Sequence, residues 1–182
     1  MKILVPLDFT PITENALKYA IGLTDILSVK TIVLFHVVAS EKDSPEAIYT
    51  LNQLIEQYKG QTTAMLESHV KPGNIFDQIG GTAEELQAQL IVMGTHGIKG
   101  MQQFIGSRAM KVITHSKTPY IVVQKLAYKQ IKKMLVPVDL TKEIKQLLPL
   151  VERLNEKFKA SLVLVKQTSK DEFIQKIGRA HV

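Results

Sequence analysis

The chain has 182 residues, enough for one full domain, or for one domain and a fragment of another. Apolar residues make up 45% and charged residues 22%, the balance of a globular protein with ample core. There is no cysteine, which excludes disulfides, thiol catalysis and cysteine metal sites. The formal charge of +6 is mild, and much of it sits in the run Lys125, Lys129, Lys132 and Lys133. No aromatic platform accompanies that run beyond Tyr128, so it reads as a solvated linker, and nucleic acid is not expected as a partner. The opening Met1-Lys2-Ile3-Leu4-Val5-Pro6 is too short an apolar run for a signal peptide. No stretch approaches the ~20 apolar residues of a membrane span. A cytoplasmic protein away from membranes is expected.

In chain order, residues 3–7 are a short apolar run, read as a buried parallel strand. Thr10-Pro11 then supplies an N-cap and a proline at the first helical position. Ala16, Leu17, Ala20, Leu23 and Leu27 follow at helical spacing. Residues 31–38, rich in β-branched side chains, read as a second strand. Ser44-Pro45 opens a helix that runs to about Tyr58, and residues 62–70 read as a third strand. Pro72-Gly73-Asn74 is a turn. Ile75, Ile79, Ala83 and Leu86 mark a third helix, and residues 90–93 a fourth strand. Ala109, Val112 and Ile113 mark a fourth helix, and residues 119–123 a fifth strand.

Strands and helices that alternate in this way predict an α/β fold with a mostly parallel sheet. Ligands of such sheets bind beyond the carboxyl ends of the strands, where the strand order reverses. Asp8, Val37 and Gly94 lie at predicted carboxyl ends and are expected to converge at one edge. Val92-Met93-Gly94-Thr95-His96-Gly97, with Gly106-Ser107 just before the fourth helical pattern, reads as a glycine-rich loop that re-enters at a helix N-terminus. Bare backbone N–H groups and a helix dipole at one point suit phosphate. Gly94 and Gly97 would let the backbone approach closely and take positive φ, and Ser107 is also a natural N-cap.

The sequence then repeats. Residues 2–10, Lys-Ile-Leu-Val-Pro-Leu-Asp-Phe-Thr, return as residues 133–141, Lys-Met-Leu-Val-Pro-Val-Asp-Leu-Thr, at an offset of 131. At the same offset, residues 31–35 match 162–166, Asp139 matches Asp8 and Gln167 stands for His36. A fixed offset across strand, helix and strand predicts a tandem duplication. It divides the chain into a first domain at 1–125, a linker at 126–132 and an incomplete second copy at 133–176 without a glycine loop. Residues 177–182, Ile-Gly-Arg-Ala-His-Val, are what a widely used sequencing-adapter oligonucleotide encodes in one frame. They are expected to be read-through from a gene fragment and stand outside the fold.

Four segments together, residues 5–10, Leu34-Phe35-His36-Val37, residues 93–97 and Gly106-Ser107, resemble the universal stress protein family, of which tandem two-domain members exist. The resemblance covers about residues 1–125. The family's nucleotide signature is G-x2-G-x9-G-[ST]; here Gly97 and Gly106 are separated by eight residues, one fewer than the signature has. The resemblance implies a five-stranded parallel Rossmann-like sandwich of the adenine nucleotide alpha hydrolase-like kind. It implies ATP as a regulatory ligand, whose phosphates can bring Mg2+. By resemblance Asp8 contacts the nucleoside and Pro6 shapes the same strand end. Val37 offers its backbone to the adenine edge and Met93 packs near the sugar, with core packing the alternative for both. Gly94 and Gly97 approach the phosphates, Gly106 and Ser107 hold them, and Arg108 and Lys99 are candidates to supply charge.

An enzyme is not expected. His36 and His96 have no sequence-adjacent carboxylate or serine to suggest a triad. The five histidines stand at no metal-ligand spacing. No residue stands out as a general base for water, although weak ATP hydrolysis stays open. Two other readings remain: a dimerising interaction module without nucleotide, and a phosphoryl- or adenylyl-transferring enzyme. Enzymes of this broad fold tend to carry a His-x-Gly-His loop early in the chain, where this one has Pro6-Leu7-Asp8-Phe9-Thr10. The fifth strand would lie at a sheet edge, which predicts self-association through it or pairing with a second domain.

Overall fold

Pairing on both sides holds the first strand at the middle of the sheet. In chain order the elements are β1 (Lys2–Pro6), α1 (Pro11–Gly22), α2 (Thr24–Leu27), β2 (Thr31–Val38), α3 (Ser44–Tyr58), β3 (Met65–Pro72), α4 (Ile75–Glu85), β4 (Leu90–Gly94) and β5 (Tyr120–Val123). These residues belong to a computed structural model that describes residues 1–94, 116–123, 130–138 and 144–166. The chain divides into two compact units, Met1–Lys129 and Gln130–Val182. The predicted fourth helix lies outside the described residues. Among the described residues no helix is long and apolar enough to cross a membrane.

The first unit is a five-stranded sheet in the order β3-β2-β1-β4-β5, with every pair parallel. Ile3, Leu4 and Val5 of β1, Ile32, Leu34 and Phe35 of β2, and Ile91 and Val92 of β4 are fully buried. Strands covered on both faces need apolar side chains at successive positions, which is why these runs are continuous and not alternating. Right-handed crossovers then place α1 and α3 on one face and α4 on the other. Ile79 and Ala83 of α4 pack against Leu4, Val33, Phe35, Ile91 and Met93. On the other face, the Tyr58 hydroxyl of α3 donates to Glu14 of α1, and Lys18 lies 3.1 Å from the same carboxylate. The Tyr58 hydroxyl holds the Glu14 carboxyl below its ordinary range, while burial pushes the phenol up.

Several expected boundaries shift: the helical pattern up to Leu27 breaks at Leu23 into α1 and α2, β4 extends to Gly94 and β5 begins at Tyr120. The first strand ends at Pro6, although the Leu7 amide still bonds the Phe35 carbonyl at 2.8 Å. The third strand runs from Met65 to Pro72 and not over 62–70. Its length follows its partner, residue for residue, from Thr31↔Met65 to Val38↔Pro72. Thr62 is held out of the ladder, its hydroxyl 3.0 Å from that of Thr24 and accepting the Ala64 amide. Thr10 caps α1 with Pro11 in the first turn, as its sequence predicts. Gly73, at φ 131°, makes the turn into α4.

Gly94 departs from its expected conformation. It is extended, paired with Val123, and has no positive φ. Its lack of a side chain serves a different approach: a Cβ there would lie 2.9 Å from the Ile12 carbonyl oxygen. The first turn of α1 therefore rests directly on the carboxyl end of β4.

The second unit contains β6 (Lys133–Val138), α5 (Ile144–Phe158) and β7 (Ser161–Lys166), with β6 and β7 parallel. Every residue of β7 is exposed. Lys133 pairs with Ser161, whereas Lys2 pairs with Thr31, so the interval between paired strands is one residue shorter here. The offset of 131 therefore holds for β6 and breaks before β7. Residues 31–36 correspond by register to 161–166, and Lys166, not Gln167, stands at the place of His36. The shortening falls just after the helix. Ser28 and Lys159, both left-handed at φ 53° and φ 50°, still match at the original offset. Asp139, Gln167 and residues 177–182 lie outside the described residues.

Two outcomes follow from this packing. Replacing Gly94 by Ala drives a methyl group into backbone that cannot rotate away. We expect a loss of about 1–3 kcal/mol, read as a lower urea midpoint. The second concerns His69 on β3, whose ring lies 5.9 Å from that of Phe35. Its Nε2 is buried with no hydrogen-bond partner among the described residues. Burial holds the imidazole below its ordinary value, and Lys71 adds to this while Glu85 opposes it. The fold thus prefers the neutral ring. That stabilisation is complete above about pH 6.5 and is lost as the pH falls toward the native value. The drop in urea midpoint between about pH 7.5 and 5.5 should shrink in His69→Leu.

Candidate functional site

β1 lies between β2 and β4, with the next strand in sequence on one side and the later strands on the other, so the strand order reverses at β1. A crevice opens outside their carboxyl ends, the place where ligands of open α/β sheets bind. A small cavity there, about 10 Å³ and almost wholly apolar, is lined by Pro6, Leu7, Asp8, Thr13, Ile75, Ile79, Met93 and Gly94. Four predicted site residues, Pro6, Asp8, Met93 and Gly94, thus share one cavity. Val37 does not line it. Val37 packs, half-buried, against the apolar cluster that includes Phe35, Ile79 and Met93. Gly97, Lys99, Gly106, Ser107 and Arg108 lie outside the described residues.

Asp8 sits two residues beyond the end of β1 and is half-buried. One carboxylate oxygen, Oδ1, accepts from the Thr10 amide at 3.1 Å, the Thr10 hydroxyl at 2.7 Å and the Thr13 hydroxyl at 2.8 Å. The Asp8 amide donates back to the Thr13 hydroxyl at 3.3 Å. The spacing Asp8-x-Thr10-x-x-Thr13 makes this possible, because residues three apart in the first turn of a helix share a face. Among the described residues Oδ2 receives no donor, which leaves it an acceptor for an amino or hydroxyl group.

Phe9, between Asp8 and Thr10, has φ 63°. A left-handed conformation costs a non-glycine residue roughly 1–2 kcal/mol, and it turns the chain sharply away from the strand. The Phe9 ring stacks on that of His36 with centroids 4.4 Å apart at 30°. His36 Nδ1 lies 2.7 Å from the Leu7 carbonyl oxygen. A carbonyl only accepts, so Nδ1 carries the proton. His36 is thus a hydrogen-bond donor at the strand end.

Sequence reasoning missed Thr13, Leu7, Ile75 and Ile79. The two threonines after Asp8 are a signal that local spacing would have revealed. The α4 residues carry none, since an apolar helix face looks the same whether it meets core or ligand. Among the described residues no cluster of three or more His, Asp or Glu is placed to hold a metal ion.

The family model for the universal stress protein family matches residues 1–124. Universal stress protein G of Shigella flexneri is 34% identical over 59 residues, 32% of this chain and 42% of that protein. The chain therefore matches less than half the length of that relative. Universal stress protein MJ0531 of Methanocaldococcus jannaschii is 28% identical over 144 residues, 68% of this chain and 82% of that protein. Among solved structures, the universal stress protein from Archaeoglobus fulgidus in complex with dAMP aligns with a TM-score of 0.54 at 25% identity. It covers 67% of this chain and 96% of that one. A universal stress protein in complex with cAMP aligns at 0.54 and 21% identity, over 68% of this chain and 96% of that one. The glycine, aspartate and strand-end residues assembled above fall within the matched region, and the chain belongs to the universal stress protein family.

Proposed function

We propose that this protein binds an adenine nucleotide in the crevice between β1 and β4 and uses it as a regulatory ligand in a stress response. The observation that carries this reading is Asp8. Its Oδ1 is committed to Thr10 and Thr13 while Oδ2 remains open among the described residues, beside Met93 and Gly94 at the sheet's reversal point. An acceptor fixed in this way selects a ligand that offers N–H or O–H groups, as an adenine amine or a ribose does. The dAMP and cAMP complexes of similar proteins support the adenine class.

ATP is the form we infer, from the glycine signature. Gly97, Gly106 and Ser107 are assigned to its phosphates with Arg108 as a counter-charge, and Mg2+ arrives with the phosphates. Val37 is assigned to the adenine edge through its backbone. The reading is one of binding without fast turnover, in the cytoplasm. Self-association runs through β5, an edge strand whose Val122 is exposed. The second unit is read as a partial second copy of the first. The parallel β6–β7 pairing and the matching left-handed residues Ser28 and Lys159 support this.

Calorimetric titration with ATP, ADP, AMP and GTP tests the proposal. Adenine nucleotides should bind, and GTP should bind more weakly. Asp8→Asn keeps an oxygen for Thr10 and Thr13 but turns the open acceptor into a donor. It should weaken ATP at least about tenfold, roughly 1.4 kcal/mol, with little change in melting temperature. Folded protein that takes up no adenine nucleotide at millimolar concentration would overturn the reading. Steady phosphate release near one per second would instead favour an enzyme.

A further inference from the structure

The geometry points to His36 as the positioning residue of this site: its Nδ1–H, donated to the Leu7 carbonyl, sets the turn that aims Asp8. The inference rests on the nucleotide reading for its consequence, but not for its geometry. Leu7 is 2% exposed, so its carbonyl needs a partner inside the protein. The backbone ladder does not supply one. The Leu7 amide makes the last backbone bond of the strand, to the Phe35 carbonyl, and among the described residues no backbone amide reaches the Leu7 carbonyl. The chain turns away at once, through Phe9 at φ 63°.

The imidazole takes the place of the missing ladder amide at 2.7 Å. The Phe9 ring lies against it with centroids 4.4 Å apart, so the residue that makes the turn also packs on the donor ring. Leu7 is thereby gripped at both its N–H and its C=O by neighbouring residues of β2, Phe35 and His36. Asp8 is the next residue, and its peptide plane is set by that grip. The carboxylate then closes on Thr10 and Thr13. In the second unit Lys166 stands at the place of His36, so this imidazole latch is not repeated there.

Two substitutions separate the donor from the ring. His36→Asn keeps an N–H on the γ carbon and discards the stack on Phe9. His36→Phe keeps the stack and discards the donor. The amide exchange rates of Asp8, Phe9 and Thr10 by NMR, and the affinity for ATP, are measured on wild type and both variants. Loss of the donor leaves a buried carbonyl unpaired, and His36→Phe should speed those amides and weaken ATP about tenfold or more. His36→Asn should stay within about threefold of wild type in both readouts. A merely structural histidine would lower the melting temperature in both variants and leave the affinity of the folded protein unchanged.

The inference is overturned if His36→Phe keeps wild-type exchange and affinity, or if His36→Asn loses as much as His36→Phe. If wild type binds no adenine nucleotide while the amides respond as expected, the positioning stands and the nucleotide reading falls.

Discussion

The end of β1 is the point on which the rest of the site depends. β1 is the central strand, its backbone paired with β2 up to Pro6 and with β4 over Ile3 and Leu4. Within the next seven residues the chain must leave the sheet, reverse and start a helix. It does so through a peptide gripped by β2, one left-handed phenylalanine, and a carboxylate that gathers the first turn of α1. Each of these alone is weak. A hydrogen bond contributes about 1 kcal/mol net and the Phe9 backbone costs about as much. The turn holds because the contacts close on each other, so that none can be lost without loosening its neighbours.

A second constraint reaches the same place from the other side. α1 is drawn to β1 by Asp8 with Thr10 and Thr13, and it is drawn onto β4 because Gly94 leaves room for the Ile12 carbonyl. These contacts place the N-terminal turn of α1 over the crevice between the two strands. A glycine at a strand end in this kind of fold is naturally read as room for a ligand. Here its extended conformation and its neighbour show that it first makes room for a helix. The helix it admits carries Thr13 to the wall of the cavity.

The second unit shows what register adds to a sequence repeat. Matching letters at one constant offset align residues 31–35 with 162–166, but the paired strands align them with 161–165. A shift of one residue turns every side chain of a strand to the other face. It also changes which residue stands at the His36 position, from Gln167 to Lys166. The left-handed helix ends at Ser28 and Lys159 locate the lost residue in the short connection to the strand, where a deletion disturbs no pairing.

Much of the fold was legible along the chain. Unbroken apolar runs announced strands buried on both faces. Thr10-Pro11 announced a helix start, and the alternation of elements announced a parallel sheet with its crevice at the carboxyl ends. These are local or periodic signals, and they brought Pro6, Asp8, Met93 and Gly94 to one cavity. The remainder belongs to contacts between residues far apart in sequence. That His36 serves the Leu7 carbonyl, that Ile75 and Ile79 wall the cleft, that Val37 faces the core cluster, and that β3 ends at Pro72 because β2 ends at Val38 all depend on pairing and packing partners. Sequence by itself determined which segments would be buried strands and that Pro6, Asp8, Met93 and Gly94 would meet at their carboxyl ends. Tertiary structure alone decided which polar groups would be left without a ladder partner, and hence which side chain had to supply one.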